Sequence, residues 1–273
     1  MDHDHDHVHH HHAADMVSST VATTLMNHAH HMMEHKSNTT SVPSGHGSHA
    51  DHMMSMASVA VSDFNNDALL DIAVPGLFDS GVVIHFGYLK QVYLKQIILK
   101  TGKGSHPVWC AIEDFNNDSK KDIAVENSGT QKTLVFSLDT EFNSFGNQMT
   151  YSTNSTPWSV AIGDFNNNTI LDLVVTNHGK DNVGIFFGCG NGSFSHQNTF
   201  TTGLKSQSSA VAVGYYNNDR LLDIIVTNYG TNDVGVLIGY SSGSFRRCEV
   251  FFHLVMDLFR SWFPQMILTM MES

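Results

Sequence analysis

The nonapeptide Asp63-Phe64-Asn65-Asn66-Asp67-Ala68-Leu69-Leu70-Asp71 is written four times along the chain, and this repetition limits what the chain can fold into. The second copy runs Asp114-Phe115-Asn116-Asn117-Asp118-Ser119-Lys120-Lys121-Asp122, and the third Asp164-Phe165-Asn166-Asn167-Asn168-Thr169-Ile170-Leu171-Asp172. A fourth, altered copy reads Tyr215-Tyr216-Asn217-Asn218-Asp219-Arg220-Leu221-Leu222-Asp223. The first positions lie 51, 50 and 51 residues apart (114−63, 164−114, 215−164). Such a period organises residues 57–248 into an array of similar supersecondary units.

The flanks of the repeat point to strands. Each copy is entered by a short β-branched run, such as Val59-Ala60-Val61 or Val160-Ala161-Ile162, and left by another, such as Asp71-Ile72-Ala73-Val74 or Asp223-Ile224-Ile225-Val226. An EF-hand needs helices on both sides and a glutamate at position 12, where this chain has Val74, Val125, Val175 and Val226. The loop is therefore a connection between two strands.

Its composition suits a hard cation. Oxygen side chains stand at positions 1, 3, 5 and 9, and the carbonyl of position 7 is free to join them, which supplies the several oxygens that Ca²⁺ takes. Carboxylates this close repel one another unless an ion sits between them. A single copy is equally well an Asx-rich turn; four copies in step favour calcium.

The pattern continues beyond the loop. Asn177-His178-Gly179 precedes Val183–Gly188 and then Gly190-Asn191-Gly192-Ser193-Phe194; Asn228-Tyr229-Gly230 precedes Val234–Gly239 and Gly243-Ser244-Phe245. In these residues the chain resembles the FG-GAP/VCBS repeat family, over about two thirds of its length. The resemblance implies an all-β fold: β-propeller-type blades of four antiparallel strands, about four repeats of ~50 residues, with Ca²⁺ held between the first two strands of each blade. It implies the ligands Asp63, Asn65, Asp67 and Asp71 with the Leu69 carbonyl; Asp114, Asn116, Asp118 and Asp122 with that of Lys120; and Asp164, Asn166, Asn168 and Asp172 with that of Ile170. Asn168 removes one charge from the third loop, which lowers its expected affinity. The fourth keeps Asn217, Asp219 and Asp223 but has Tyr215 at position 1, so it is expected to be weak or empty. Four blades suit a small closed propeller, an open arc, or part of a larger assembly.

Charge agrees with cations as partners. The chain carries 14 Lys+Arg against 26 Asp+Glu, a net −12, which argues against nucleic acid. Three cysteines at unrelated spacings imply neither a disulfide framework nor a metal site, and Cys110 reads as a small buried hydrophobe. No nucleophile–base–acid set stands in a recognisable context, so no enzyme activity is expected.

Residues 1–56 are different material, holding 14 of the 19 His and 8 of the 13 Met. With almost no apolar periodicity they are expected to be disordered. Imidazoles suit copper and zinc, and the thioethers of Met53, Met54 and Met56 suit Cu(I). His3 behind a free amino terminus suits Cu(II). An expression tag or an inert low-complexity tail are the plainer readings. The tail resembles the His/Met-rich N-terminus of the Ctr copper transporters, but no stretch reaches the ~18 apolar residues of a membrane span, so transport by this chain is not expected. Residues 249–273 are apolar and outside the repeat pattern; they read as a helix on the last blade, a partner-binding stretch, or an end foreign to the array.

The functional expectation is a calcium-binding, non-catalytic binding or adhesion module with a protein or glycan ligand, outside the cell or at its surface, although no signal peptide is recognisable. The alternative is a copper- or zinc-handling protein with the repeats as scaffold.

Overall fold

In a computed structural model of the protein the described residues are 58–76, 81–87, 95–139 and 144–248. The tail with His3, Met54 and Met56, residues 88–94 and residues 249–273 lie outside them.

Each repeat folds into one antiparallel four-stranded sheet, with strands adjacent in sequence adjacent in space. Sheet one comprises β1 (Ala60–Ser62), β2 (Asp71–Gly76), β3 (Gly81–Phe86) and β4 (Lys95–Lys100). Sheet two comprises β5 (Pro107–Glu113), β6 (Asp122–Asn127), β7 (Lys132–Asp139) and β8 (Ser144–Ser152). Sheet three comprises β9 (Pro157–Gly163), β10 (Asp172–Asn177), β11 (Asn182–Phe186) and β12 (Asn198–Thr201), and a 3-10 turn at His178–Lys180 joins β10 to β11. Sheet four comprises β13 (Ser208–Gly214), β14 (Asp223–Asn228), β15 (Asp233–Gly239) and β16 (Phe245–Cys248). These are the expected blades.

The nonapeptide sets the register. The ladder resumes with position 9 facing the residue just before the loop: Ser62 with Asp71, Glu113 with Asp122, Gly163 with Asp172, Gly214 with Asp223. From there the second strand runs up the centre of its sheet. All six residues of β6, β10 and β14 are buried. A strand covered on both faces must be apolar on both, which is why these runs are continuous rather than alternating.

The covering is done by the neighbouring sheets. Ile123 and Val125 of β6 pack on Ala73, Val82, Ile84 and Phe86 of sheet one. Ala124 and Val135 point the other way, into a cluster with Val160, Leu173 and Val175 of sheet three. Val174 and Ile185 of sheet three then meet Val211, Ile224, Val226 and Leu237 of sheet four. Among the described residues each apolar cluster joins sheets adjacent in sequence, and none joins sheet four to sheet one.

One aromatic pair recurs at every interface. The phenylalanine at position 2 of a loop packs edge-on against an aromatic ring of the next sheet, one repeat further on. Phe64 meets Phe145 at 6.0 Å, Phe115 meets Phe194 at 5.4 Å, and Phe165 meets Phe245 at 5.9 Å between ring centroids. This geometry is the favoured one for aromatic rings. In sheet four the position is Tyr216, which is 53% exposed. Phe165→Ala is expected to cost about 3–5 kcal/mol of stability, the range for a buried ring, and Tyr216→Ala less than about 1 kcal/mol. Urea unfolding of the two variants checks the difference.

Candidate metal centre

The loops themselves adopt one conformation four times over. Positions 4 and 6 are left-handed in each: Asn66 and Ala68 at φ 56 and 64°, Asn117 and Ser119 at 60 and 65°, Asn167 and Thr169 at 60 and 68°, Asn218 and Arg220 at 61 and 67°. Asparagine tolerates this region, which accounts for the constant Asn at position 4.

The turns bring the polar side chains of positions 1, 3 and 5 onto the loop's own amides. In the first loop Asp63 accepts from the N–H groups of Asp67 at 3.2 Å and Ala68 at 2.8 Å. Asn65 Oδ1 accepts from the same Asp67 amide at 3.2 Å, so the oxygens of positions 1 and 3 stand side by side. Asp67 Oδ1 accepts from Leu69 N–H at 2.9 Å, and its Oδ2 from Asn65 Nδ2, also at 2.9 Å. The second loop repeats these bonds through Asp114, Asn116 and Asp118, with Lys120 N–H in the place of Leu69. The third repeats the backbone bonds through Asp164, Asn166 and Asn168, with Ile170 N–H as the last donor. In the fourth, Asn217 and Asp219 keep theirs, and the pair of bonds made by position 1 is missing.

Position 9 does something else. Asp71, Asp122, Asp172 and Asp223 are each 0% exposed. Asp71 accepts from Phe64 N–H at 2.7 Å through one oxygen and from Gly87 N–H at 2.7 Å through the other. Asp172 binds Phe165 and Gly188 the same way, at 2.9 and 2.8 Å, and Asp223 binds Tyr216 and Gly239 at 2.8 and 2.9 Å. Asp122 accepts from Phe115 N–H at 3.0 Å. Each carboxylate therefore clips the start of the loop to its own strand, and those of Asp71, Asp172 and Asp223 are seen to clip the end of the third strand as well. Burial pushes the Asp172 carboxyl up to about 6 and raises that of Asp71, against the downward pull of the amide bonds.

The glycine that receives this clip is itself required. A Cβ on Gly188 would fall 2.2 Å from the Leu171 carbonyl oxygen. This demand was not visible in the nonapeptide alone, though the glycines after Val183–Phe187 and Val234–Ile238 carry its signal.

Among the described residues no three His, Cys, Asp or Glu side chains converge on one point as a metal cluster. The donor chemistry nevertheless fits a hard cation: in loops one and two each side chain at positions 1, 3, 5 and 9 bears an oxygen, three of them being carboxylates, and the oxygens of positions 1 and 3 face one side. A carboxylate oxygen bound to one amide keeps a further lone pair.

Two buried polar groups have no counterpart in the loops. Glu126 stands where sheets three and four have Thr176 and Thr227; it is 0% exposed, its Oε2 accepts from Thr133 Oγ1 at 2.9 Å, and its Oε1 has no partner. Burial pushes its carboxyl up to about 8, against the hydrogen bond from Thr133. Asn127, next to it, has neither side-chain atom partnered. Cys110 is buried as expected, its thiol pushed up to about 12 by burial.

Exchange of Asp172 for Asn would set an NH₂ group against a backbone N–H. Asp172→Asn is expected to cost about 2–3 kcal/mol with or without Ca²⁺, whereas Asp164→Asn, which disturbs the two amide bonds of a half-buried residue, is expected to cost about 1 kcal/mol or less, as read by denaturant titration in chelator. Glu126 has a folded value above its unfolded one, so its stabilising effect is complete below about 4.5 and is lost as pH rises through about 8. Glu126→Gln is therefore expected to melt several degrees above the parent at pH 9, with the difference shrinking as pH falls toward 5.

A profile of the family described as FG-GAP-like repeat matches residues 114–175 and 166–226. No curated protein matches the chain in sequence. Among solved structures, a protein from Lactobacillus plantarum is similar at 13% identity and TM-score 0.50, over 70% of this chain and 53% of that one. A putative 6-phosphogluconolactonase from Bacteroides uniformis is similar at 13% identity and TM-score 0.50, over 71% and 54%. Virginiamycin B lyase from Staphylococcus aureus gives 12% identity and TM-score 0.47, over 71% and 60%. The chain thus spans between about half and three fifths of the length of these solved proteins. Among the described residues no helix is long and apolar enough to cross a membrane.

Proposed function

Residues 114–226 belong to the FG-GAP-like repeats, and on that premise we propose that the protein is a calcium-stabilised, non-catalytic binding module. The observation that carries this reading is the four-fold recurrence of one loop conformation, with oxygen-bearing side chains at positions 3, 5 and 9 in every copy and at position 1 in three. Ca²⁺ bound there would neutralise the carboxylates of positions 1 and 5 and hold the turn between the first two strands of a blade.

The chain's own part is to preform the site. Positions 4 and 6 in the left-handed region aim Asp63, Asn65 and Asp67 inward, and Asp71 fixes the loop's first residues to the sheet. Asp114, Asn116, Asp118 and Asp122 do the same in loop two, and both loops are expected to bind more tightly than loop three. Millimolar extracellular Ca²⁺ would fill such sites, which favours a setting outside the cell or at its surface. The rigid blades then present their edges and clefts to a protein or glycan partner.

A second activity is supported by composition alone: the His/Met bias of residues 1–56, with His3, Met54 and Met56, suits capture of copper or zinc.

Thermal melting of the full chain tests the first reading. A ligand bound only by the folded state raises the midpoint. One millimolar Ca²⁺ is expected to raise that of the parent and to leave Asp63→Ala/Asp114→Ala nearly unmoved. An equal response from both proteins would sink the assignment of these loops. The second reading predicts that a chain lacking residues 1–56 keeps the Ca²⁺ response and loses Cu²⁺ binding, followed by calorimetry.

A further inference from the structure

A cavity of about 730 Å³ lies between sheets two and three, and none of its lining residues belongs to a metal loop. That volume is within the range of small-molecule sites. Its two sides differ in chemistry, and the difference defines a ligand.

One side is aromatic and rigid. Tyr151 of β8 accepts a hydrogen bond from Phe194 N–H at 2.9 Å and donates one to Met149 Sδ at 3.5 Å, so its hydroxyl is committed and its ring fixed. That ring packs against Phe186 and Phe194, both at 5.7 Å between centroids. Phe186 and Phe194 are themselves buried behind it, so the half-buried Tyr151 is the ring that meets a ligand, at no cost in rotamer freedom.

The other side is a chain of amides. Asn177 Nδ2 donates to Asn182 Oδ1 at 2.7 Å, Gln197 Nε2 donates to Asn177 Oδ1 at 3.4 Å, and Asn182 Nδ2 donates to the Lys180 carbonyl at 3.1 Å. Gly184 makes this arrangement possible: a Cβ there would fall 1.8 Å from Gln197 Nε2, so only glycine lets the glutamine lie across the strand. The next interface departs from it. Arg247, which faces Leu237 across β15 and β16, packs over Gly203, and Asn228 is held by Asp233 and Ser208. The amide set thus belongs to the cleft between sheets two and three, not to the repeat at large.

The lining includes no carboxylate and no arginine; Lys180 and His196 are its titratable cations, both on the exposed rim. An ionic ligand would find no paired countercharge inside. A ligand rich in hydroxyls finds partners there: amides offer both a donor and an acceptor, as a hydroxyl does, while the C–H face of a sugar ring suits the half-buried ring of Tyr151. We propose that this cleft binds a neutral saccharide. The proposal rests on the reading of the protein as a binding module and gives that module a ligand class and a place.

Saturation-transfer NMR on the full chain in Ca²⁺ tests it, with glucose, galactose, mannose, N-acetylglucosamine and their disaccharides as probes. At least one probe is expected to bind. Gln197→Ala removes part of the amide chain, and Thr199→Trp, on the exposed edge strand and paired with Gly184, fills the cleft; each is expected to weaken binding at least tenfold. Absence of binding by every probe, or equal binding by parent and both variants, overturns the proposal. The Ca²⁺ response of the melting midpoint is measured on the same samples, so loss of the saccharide site with the response intact leaves the calcium reading standing. Consumption of a bound probe would uphold the cleft and overturn the non-catalytic reading.

Discussion

The fully buried carboxylate at position 9 is the interaction on which the rest of the structure depends. In sheets one, three and four its two oxygens gather the N–H of loop position 2 and the N–H that ends the third strand. The residue whose backbone is held this way is, in the first three sheets, the phenylalanine that reaches into the next sheet. One side chain thus ties a loop, its own sheet and the contact between sheets. A buried carboxylate with amides on both oxygens is stable where an unpartnered one would not be. The raised pKa of Asp172 shows that burial still weighs against its charge.

This arrangement separates two tasks within nine residues. In the first three loops positions 1 and 3 are half-buried and position 5 is exposed, gathered around a left-handed turn that suits an ion. Position 9 faces the core and suits a fold. The fourth copy, which has lost position 1 and kept position 9, illustrates the separation: its sheet forms and pairs in the same register as the others.

Much of this is legible in the sequence. The period, the strand pairs around each nonapeptide and the central β-branched runs follow from spacing and residue type, and the two strands that flank each nonapeptide fall where the repeat places them. Less legible is the division of labour within the loop, because spacing treats Asp63 and Asp71 alike while only the fold buries one of them. Glu126 is hidden for a different reason: it occupies a position of a buried run where charge is not expected, and only its comparison with Thr176 and Thr227 marks it. The saccharide cleft draws Tyr151, Asn177, Asn182 and Gln197 from two sheets, and nothing in the local pattern links them. Gly184 was readable only as a strand glycine, until the glutamine lying over it explained why no side chain is tolerated there.

The aromatic pair between successive sheets gives growth a direction. Each position-2 ring is completed by a residue 81, 79 or 80 positions nearer the C-terminus (145−64, 194−115, 245−165), so a chain emerging from its N-terminus always carries one socket waiting for a plug that has not yet been made. Assembly by such a rule is vectorial, because each sheet waits for the next to cover its apolar face. At the fourth copy the ring becomes Tyr216, whose phenolic edge is at ease in water. The exchange of one hydrogen for a hydroxyl turns a sticky leading edge into one that can wait.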